Sequence, residues 1–157
     1  MSLARQIPST DPVAGLYERD YALWLQENAR LLREGRFSEA DIAKVAEELD
    51  DMGRSEQRAV ASHMAVLMLH LLKWQYQPDQ RSNSWRGSIY NARRAIEKRL
   101  TDSPSLRGRL VETILDEYPD ARFNAANESG LPESLFPEQC PYSAGQLLDG
   151  SFWPGSA

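Results

Sequence analysis

Seven cations crowd one stretch of this chain: Lys73, Arg81, Arg86, Arg93, Arg94, Lys98 and Arg99, with Trp74, Tyr76 and Trp85 interleaved among them. Lys and Arg neutralise phosphate groups, and exposed aromatic rings stack on bases or on guanidinium planes. Lys73, Arg81, Arg86, Arg93, Arg94 and Lys98 are therefore the candidate contacts for an anion, with nucleic acid the most concrete partner and an acidic protein the other. A plainer reading competes with it. Trp74 and Trp85 fall on apolar stripes, so both, like Trp24, are expected to be structural aromatics, packed near each other in the case of Trp74 and Trp85. The cations are then free to pair with acids on neighbouring helices.

Metal chemistry has weaker support. Ile42, Leu49, Glu56, His63 and His70 recur every seven residues, so a polar trio continues an apolar stripe. Neighbours in that trio are about 10 Å apart along a helix, too far for two of them to share one ion at bonds of ~2.1 Å. The Glu-x-x-His pairs of di-iron bundles are absent. Glu56, His63 and His70 form only a weak alternative metal site, and packed, hydrogen-bonded histidines are the favoured reading. No cofactor is expected. Glu47, Glu48, Asp50 and Asp51 read as a solvated acidic face, and several serines sit where helix caps are needed. Neither Gly-x-Ser-x-Gly, a phosphate loop, nor Gly-x-Gly-x-x-Gly occurs. Cys140 lies between Gln139 and Pro141 with no identifiable partner. No catalytic residue is assigned, and the balance leans away from an enzyme.

The elements that must position these side chains are helical. Tyr17, Tyr21, Trp24, Leu25, Leu31 and Leu32 predict a first helix over residues 16–34, ending at Gly35. Ser38 is the expected cap of a second helix, with Asp41 completing a weak capping box and Phe37 and Ile42 a hydrophobic staple. Its stripe continues through Val45, Leu49, Met52, Val60, Leu67 and Leu71 to Trp74, and Pro78 stops it. Gly53 leaves open one long helix or two collinear ones. A third helix starts near residue 84, capped by Ser82, Asn83 or Ser84. It buries Trp85, Ile89, Ala92, Ile96 and Leu100, with Arg86, Arg94 and Lys98 on the opposite half and Arg93 at the boundary. Ser103-Pro104 opens a fourth, whose inner face is Leu106, Leu110, Ile114, Leu115 and Tyr118. Pro119 is expected to kink or break it before Gly130.

Residues 1–15 read as a disordered lead-in, and residues 16–154 as a single helical domain. Residues 131–154 hold Pro132, Pro137, Pro141 and Pro154, but also Leu135, Phe136, Tyr142, Leu147, Leu148, Phe152 and Trp153. That apolar content predicts an ordered tail wrapping the bundle, with one short helix over residues 143–149. The net charge is −5 but uneven: nine basic and twelve acidic residues to Pro78, eight and three from Asp79 to Arg109, one and eight thereafter. A basic band on an acidic protein attracts an anionic partner. With one cysteine, no apolar leader at the start and no membrane-length apolar run, the expected setting is cytoplasmic, away from membranes.

Several marks together suggest a family. They are Tyr17-Glu18-Arg19-Asp20-Tyr21 with Trp24; Leu32-Arg33-Glu34-Gly35-Arg36-Phe37; Ala46-Glu47-Glu48-Leu49; His70-Leu71-Leu72-Lys73-Trp74-Gln75-Tyr76-Gln77-Pro78; Ser84-Trp85; Ser103-Pro104-Ser105-Leu106; Phe136-Pro137-Glu138-Gln139-Cys140-Pro141; and Phe152-Trp153-Pro154. On these the chain resembles the bacterial family called domain of unknown function family 29, over about residues 16–154. Pro119 departs from what relatives are expected to carry. The resemblance implies a helical fold in a bacterial protein and assigns no activity, so no functional residue is carried over. The expected fold is all-α, with four main helices in an irregular or up-and-down bundle and a proline-rich C-terminal wrap. The expected function is a non-enzymatic module with a basic patch for an anionic partner. A protein-interaction or oligomerisation module, including self-association, is the alternative, and a metal-dependent enzyme the third.

Overall fold

The computed structural model describes residues 12–155. Most of the expected lead-in lies outside that range. Among the described residues there is no strand, and the fold is all-α. The described residues hold six α-helices: α1 Leu16–Arg19, α2 Tyr21–Arg33, α3 Ile42–Tyr76, α4 Asn83–Asp102, α5 Leu110–Ser129 and α6 Ala144–Leu148. Contacts group into two compact units that divide between Gly53 and Arg54, inside α3.

The N-terminal unit departs from the sequence reading inside the first expected helix, which starts at Leu16 as foreseen, and at the start of the second. The expected first helix is two: Asp20 leaves the helical region at φ −153°, and its carboxylate accepts the Leu23 N–H, so it caps α2. α2 ends as foreseen at Gly35, φ +71°, with the Gly35 and Arg36 N–H groups returning to the Leu32 and Leu31 carbonyls. The second correction concerns α3. Residues 37–39 form a turn, and Asp41 rather than Ser38 stands before the first helical residue, its carboxylate 3.4 Å from the Lys44 N–H. The staple moves accordingly. Phe37 and Ile42 are exposed, whereas Ala40 and Val45 flank Asp41 at the staple spacing and pack on the small core of Val13, Leu16, Trp24 and Leu31. Asn28, buried, ties the turn to α2: its Nδ2 donates to the Trp24 carbonyl at 2.8 Å, and its Oδ1 accepts the Asp41 N–H at 2.7 Å.

α3 is one helix through Gly53, since a glycine costs only about 1 kcal/mol relative to Ala there. Its expected stripe is only partly buried. Leu49 and Met52 are 64% and 65% exposed, while Val60, Leu67, Leu71 and Trp74 are buried.

The C-terminal unit has the larger core. Met64, Leu67, Met68, Leu71 and Leu72 of α3 meet Ile89, Ala92, Ile96 and Leu100 of α4, Ile114, Tyr118, Ala121 and Ala125 of α5, and Phe136, Tyr142 and Leu147 of the tail. Ser82 caps α4 through the Trp85 N–H at 3.2 Å. Pro104–Arg109 form a 3-10 turn ahead of α5. Pro119 does not end α5, which runs on to a left-handed Gly130. The reason is position: Pro119 and Leu115 are both exposed, so the Leu115 carbonyl that loses its donor lies on the hydrated side. Leu115, expected inside, is therefore a further correction. In the tail, Ser143 and Gln146 form a reciprocal capping box for α6. No helix among the described residues is long and apolar enough to cross a membrane.

Candidate anion-binding site

The turn from α3 to α4 gathers the basic residues, but the structure sorts them into two groups. Lys73, Arg81 and Arg93 have internal partners. Lys73 Nζ lies 3.3 Å from Glu128 of α5 and 4.7 Å above the Trp85 ring, with its side chain only 12% exposed. Arg81 Nε donates to the Trp74 carbonyl at 2.8 Å, and its guanidinium covers the Trp74 ring at 5.0 Å. Gly155, φ +75°, closes over it; a Cβ there would sit 3.2 Å from Arg81 Nη2. Arg93 is 6% exposed rather than at the boundary of the wheel. Its Nε donates to the Leu147 carbonyl at 2.8 Å, and its Nη2 to those of Phe152 and Gln146 at 2.9 and 3.3 Å. Arg93 thus fastens the tail and answers the orphan carbonyls at the end of α6.

Arg86, Arg94 and Lys98 are exposed on α4, as the helical wheel requires. Arg94 reaches Glu97 at 3.5 Å, an exposed pair within one helix. Lys98 has no partner among the described residues. Arg86 lies 5.9 Å from both the Trp74 and Trp153 rings. Arg99 pairs with Glu56 at 3.6 Å, a separation beyond hydrogen-bond length. That pair and Lys73–Glu128 are the internal charge balance that the plainer reading foresaw.

The aromatics need one correction. Trp74 is buried, but Trp85 is half-buried, and the ring packed on Trp74 is Trp153, 4.6 Å away. Trp153 was legible only as tail apolar content. Its 79-residue separation from Trp74 carries no periodic signal. With it in place, Arg81, Arg86 and Arg93 surround two indoles, the last at 5.7 Å from Trp153. None of the three has a carboxylate ion pair among the described residues. Burial pushes the Arg93 pKa down, and Asp149 opposes that shift. Trp24 belongs to the other unit, buried against the Tyr17 and Tyr21 rings at 5.0 and 6.0 Å.

The weak metal alternative is not assembled. Glu56 is engaged with Arg99, and His70 Nδ1 sits 2.8 Å from the Val66 carbonyl. Among the described residues no three His, Cys, Asp or Glu side chains are placed to hold an ion. Cys140 Sγ is half-buried, 3.4 Å from the Tyr142 carbonyl, and burial raises its pKa.

Comparison with curated proteins gives no match, and comparison with solved structures gives none either. A family model does match, over residues 16–153, nearly all of the region holding both cores, the cation cluster and the tail. The chain belongs to the family described as Domain of unknown function DUF29.

Proposed function

We propose that this chain is a non-enzymatic binding module whose α4 face takes an anionic partner, with the phosphate backbone of nucleic acid the most concrete case. The observation that carries the reading is that Arg86, Arg94 and Lys98 are exposed on one side of α4, Arg86 beside the Trp74–Trp153 pair without a carboxylate ion pair and Lys98 without a partner among the described residues. Stacking on an indole face orients a guanidinium and leaves its charge in place. The exposed row of Arg86, Arg94 and Lys98 extends that charge along α4. Arg94 is only weakly committed, because exposed ion pairs contribute ~0–1 kcal/mol and exchange readily for a phosphate.

Retention of labelled single- and double-stranded nucleic acid at two salt concentrations tests it. Binding is expected to weaken with salt, with a log–log slope of about −0.9 per duplex phosphate or about −0.7 per single-strand phosphate. Replacing Arg86, Arg94 and Lys98 together by Ala should flatten the slope by about two to three units. Unchanged retention in that variant, or none by the parent at ~50 mM salt, removes the reading. A protein-interaction role is the second reading, and one observation favours it: Val111, Leu115 and Phe123 of α5 are more than half exposed.

A further inference from the structure

Arg93 poses a charge problem that its hydrogen bonds do not solve. Three carbonyls take up Nε and Nη2, whereas Nη1 has no protein partner among the described residues and is not sealed from solvent. Carbonyl dipoles are neutral, whereas a buried guanidinium stays ionised and is ordinarily matched by an anion. The nearest acids leave the match incomplete. Asp149 influences Arg93 from beyond ion-pair distance and is itself held by Ser151, while Glu97 pairs with Arg94. Beside Arg93 lies a cavity of about 110 Å³ between α4 and the C-terminal tail. Tyr90, Arg94, Glu97 and Trp153 also line it. Tyr90 is exposed, and its hydroxyl makes no hydrogen bond among the described residues.

We infer that this cavity binds a small oxyanion, a phosphate or carboxylate group, as the missing counter-charge of Arg93, with Arg94 and the Tyr90 hydroxyl as further donors. Two guanidinium groups against one Glu97 carboxylate leave the lining net positive. Glu97 opposes an incoming anion and holds Arg94 in its absence. Trp153 closes one wall and is kept in place by Arg93 itself, so the same guanidinium shapes the site and supplies its charge. The inference rests on the α4 reading only in sharing Arg94; Arg86 is not part of the cavity lining.

The test is an amide-shift titration of the intact chain with sodium phosphate and, separately, sodium acetate, with chloride holding ionic strength constant. The expected result is saturable shifts confined to residues 89–97 and 148–153 with at least one of the two anions, and the tighter one identifies the group. Glu97→Gln should tighten binding several-fold, and Arg94→Gln should weaken it about ten-fold, the loss of a charge-assisted hydrogen bond. Both positions are exposed, so neither variant threatens the fold. Shifts that never saturate, that scatter over the surface, or that ignore both Glu97→Gln and Arg94→Gln overturn the inference. Nucleic-acid retention without saturable binding of either anion sinks the cavity and leaves the α4 face standing. Saturable anion binding without retention does the reverse.

Discussion

Arg93 and Arg94 are adjacent in the chain, yet one is buried under the tail and the other stands in solvent. A turn of ~100° per residue separates them, and Arg93's acceptors come from residues 146, 147 and 152. The wheel could place Arg93 at a boundary, but nothing periodic announces carbonyls more than fifty residues away. Arg93→Ala should therefore destabilise by about 3 kcal/mol, since bonds to a charged donor contribute roughly 1.5–3 kcal/mol each and the carbonyls lose their partner. Arg93→Lys should recover only part, because an ammonium lacks the planar fork. Urea melts read both, and a loss below 0.5 kcal/mol, the usual range for surface changes, would show that the tail does not depend on this residue. A second residue-scale case is Glu48, which accepts from the Tyr17 and Tyr21 hydroxyls at 2.5 Å each. The hydrogen bond to Glu48 pushes the Tyr17 phenol up from 10.0 to about 12, and the bonds from Tyr17 and then Tyr21 hold the Glu48 carboxyl below its ordinary 4.5. The signs differ. Glu48 contributes stability above its ordinary value that is lost as pH falls through its lowered folded value. Tyr17 contributes stability that is complete below pH 10 and lost as pH rises towards 12. Burial also pushes the Tyr118 phenol up to about 12, so tyrosinate absorbance should show one phenol fewer ionising near 12 in Tyr17→Phe than in the parent.

At the scale of elements, what was legible was what is local. Gly35, Pro78, Ser82 and the Ser143–Gln146 box all act within four residues; Gly35 and Pro78 mark the ends they were expected to mark, Ser82 is the one of three candidate caps that is used, and the box opens the short helix expected in the tail. The Ser38 cap failed because its capping-box partner, Asp41, is itself the cap. Ser38 and Asp41 both suit a helix start, and burial of Asn28 decides for Asp41 by taking its N–H. Asp20 is hidden in the sequence because Tyr17, Tyr21 and Trp24 keep helical spacing across the break. Asp20→Ala should cost about 1 kcal/mol in a thermal melt, as lost N-caps do; no change would mean that Tyr packing on Trp24 alone sets the break. Pro119 gives the opposite sign. Its ring sits inside α5 without ending it, so Pro119→Ala should restore the bond to the Leu115 carbonyl and raise stability by about 1–3 kcal/mol. That is less than the full proline penalty, because proline also restricts the unfolded chain. A destabilised Pro119→Ala would show that α5 needs the distortion.

Across the whole chain, the helical class followed from the apolar periods, but the period of α3 left open whether one helix or two spans Gly53, and it does not reveal how unevenly the stripe is buried. In its C-terminal half the stripe enters a core with α4, α5 and the tail. In its first turns Ile42, Leu49 and Met52 are exposed, and among the described residues the buried apolar side chains of the N-terminal unit are Val13, Leu16, Trp24 and Leu31. Local opening is governed by such burial, whereas helical hydrogen bonding is alike along α3. Amide exchange should accordingly divide α3. Residues 60–74 should exchange only through global unfolding, and residues 46–53 through openings at least ~2 kcal/mol cheaper. The step should fall near Gly53, where the two units divide, and Gly53→Ala should reduce it by about 1 kcal/mol by stiffening the helix without adding a core contact. Uniform protection from residue 46 to residue 74 would mean that an apolar surface covers Leu49 and Met52 in solution. Dilution would then expose the source. Protection that falls with protein concentration would identify a second copy as the cover and move self-association ahead of the anion-binding face.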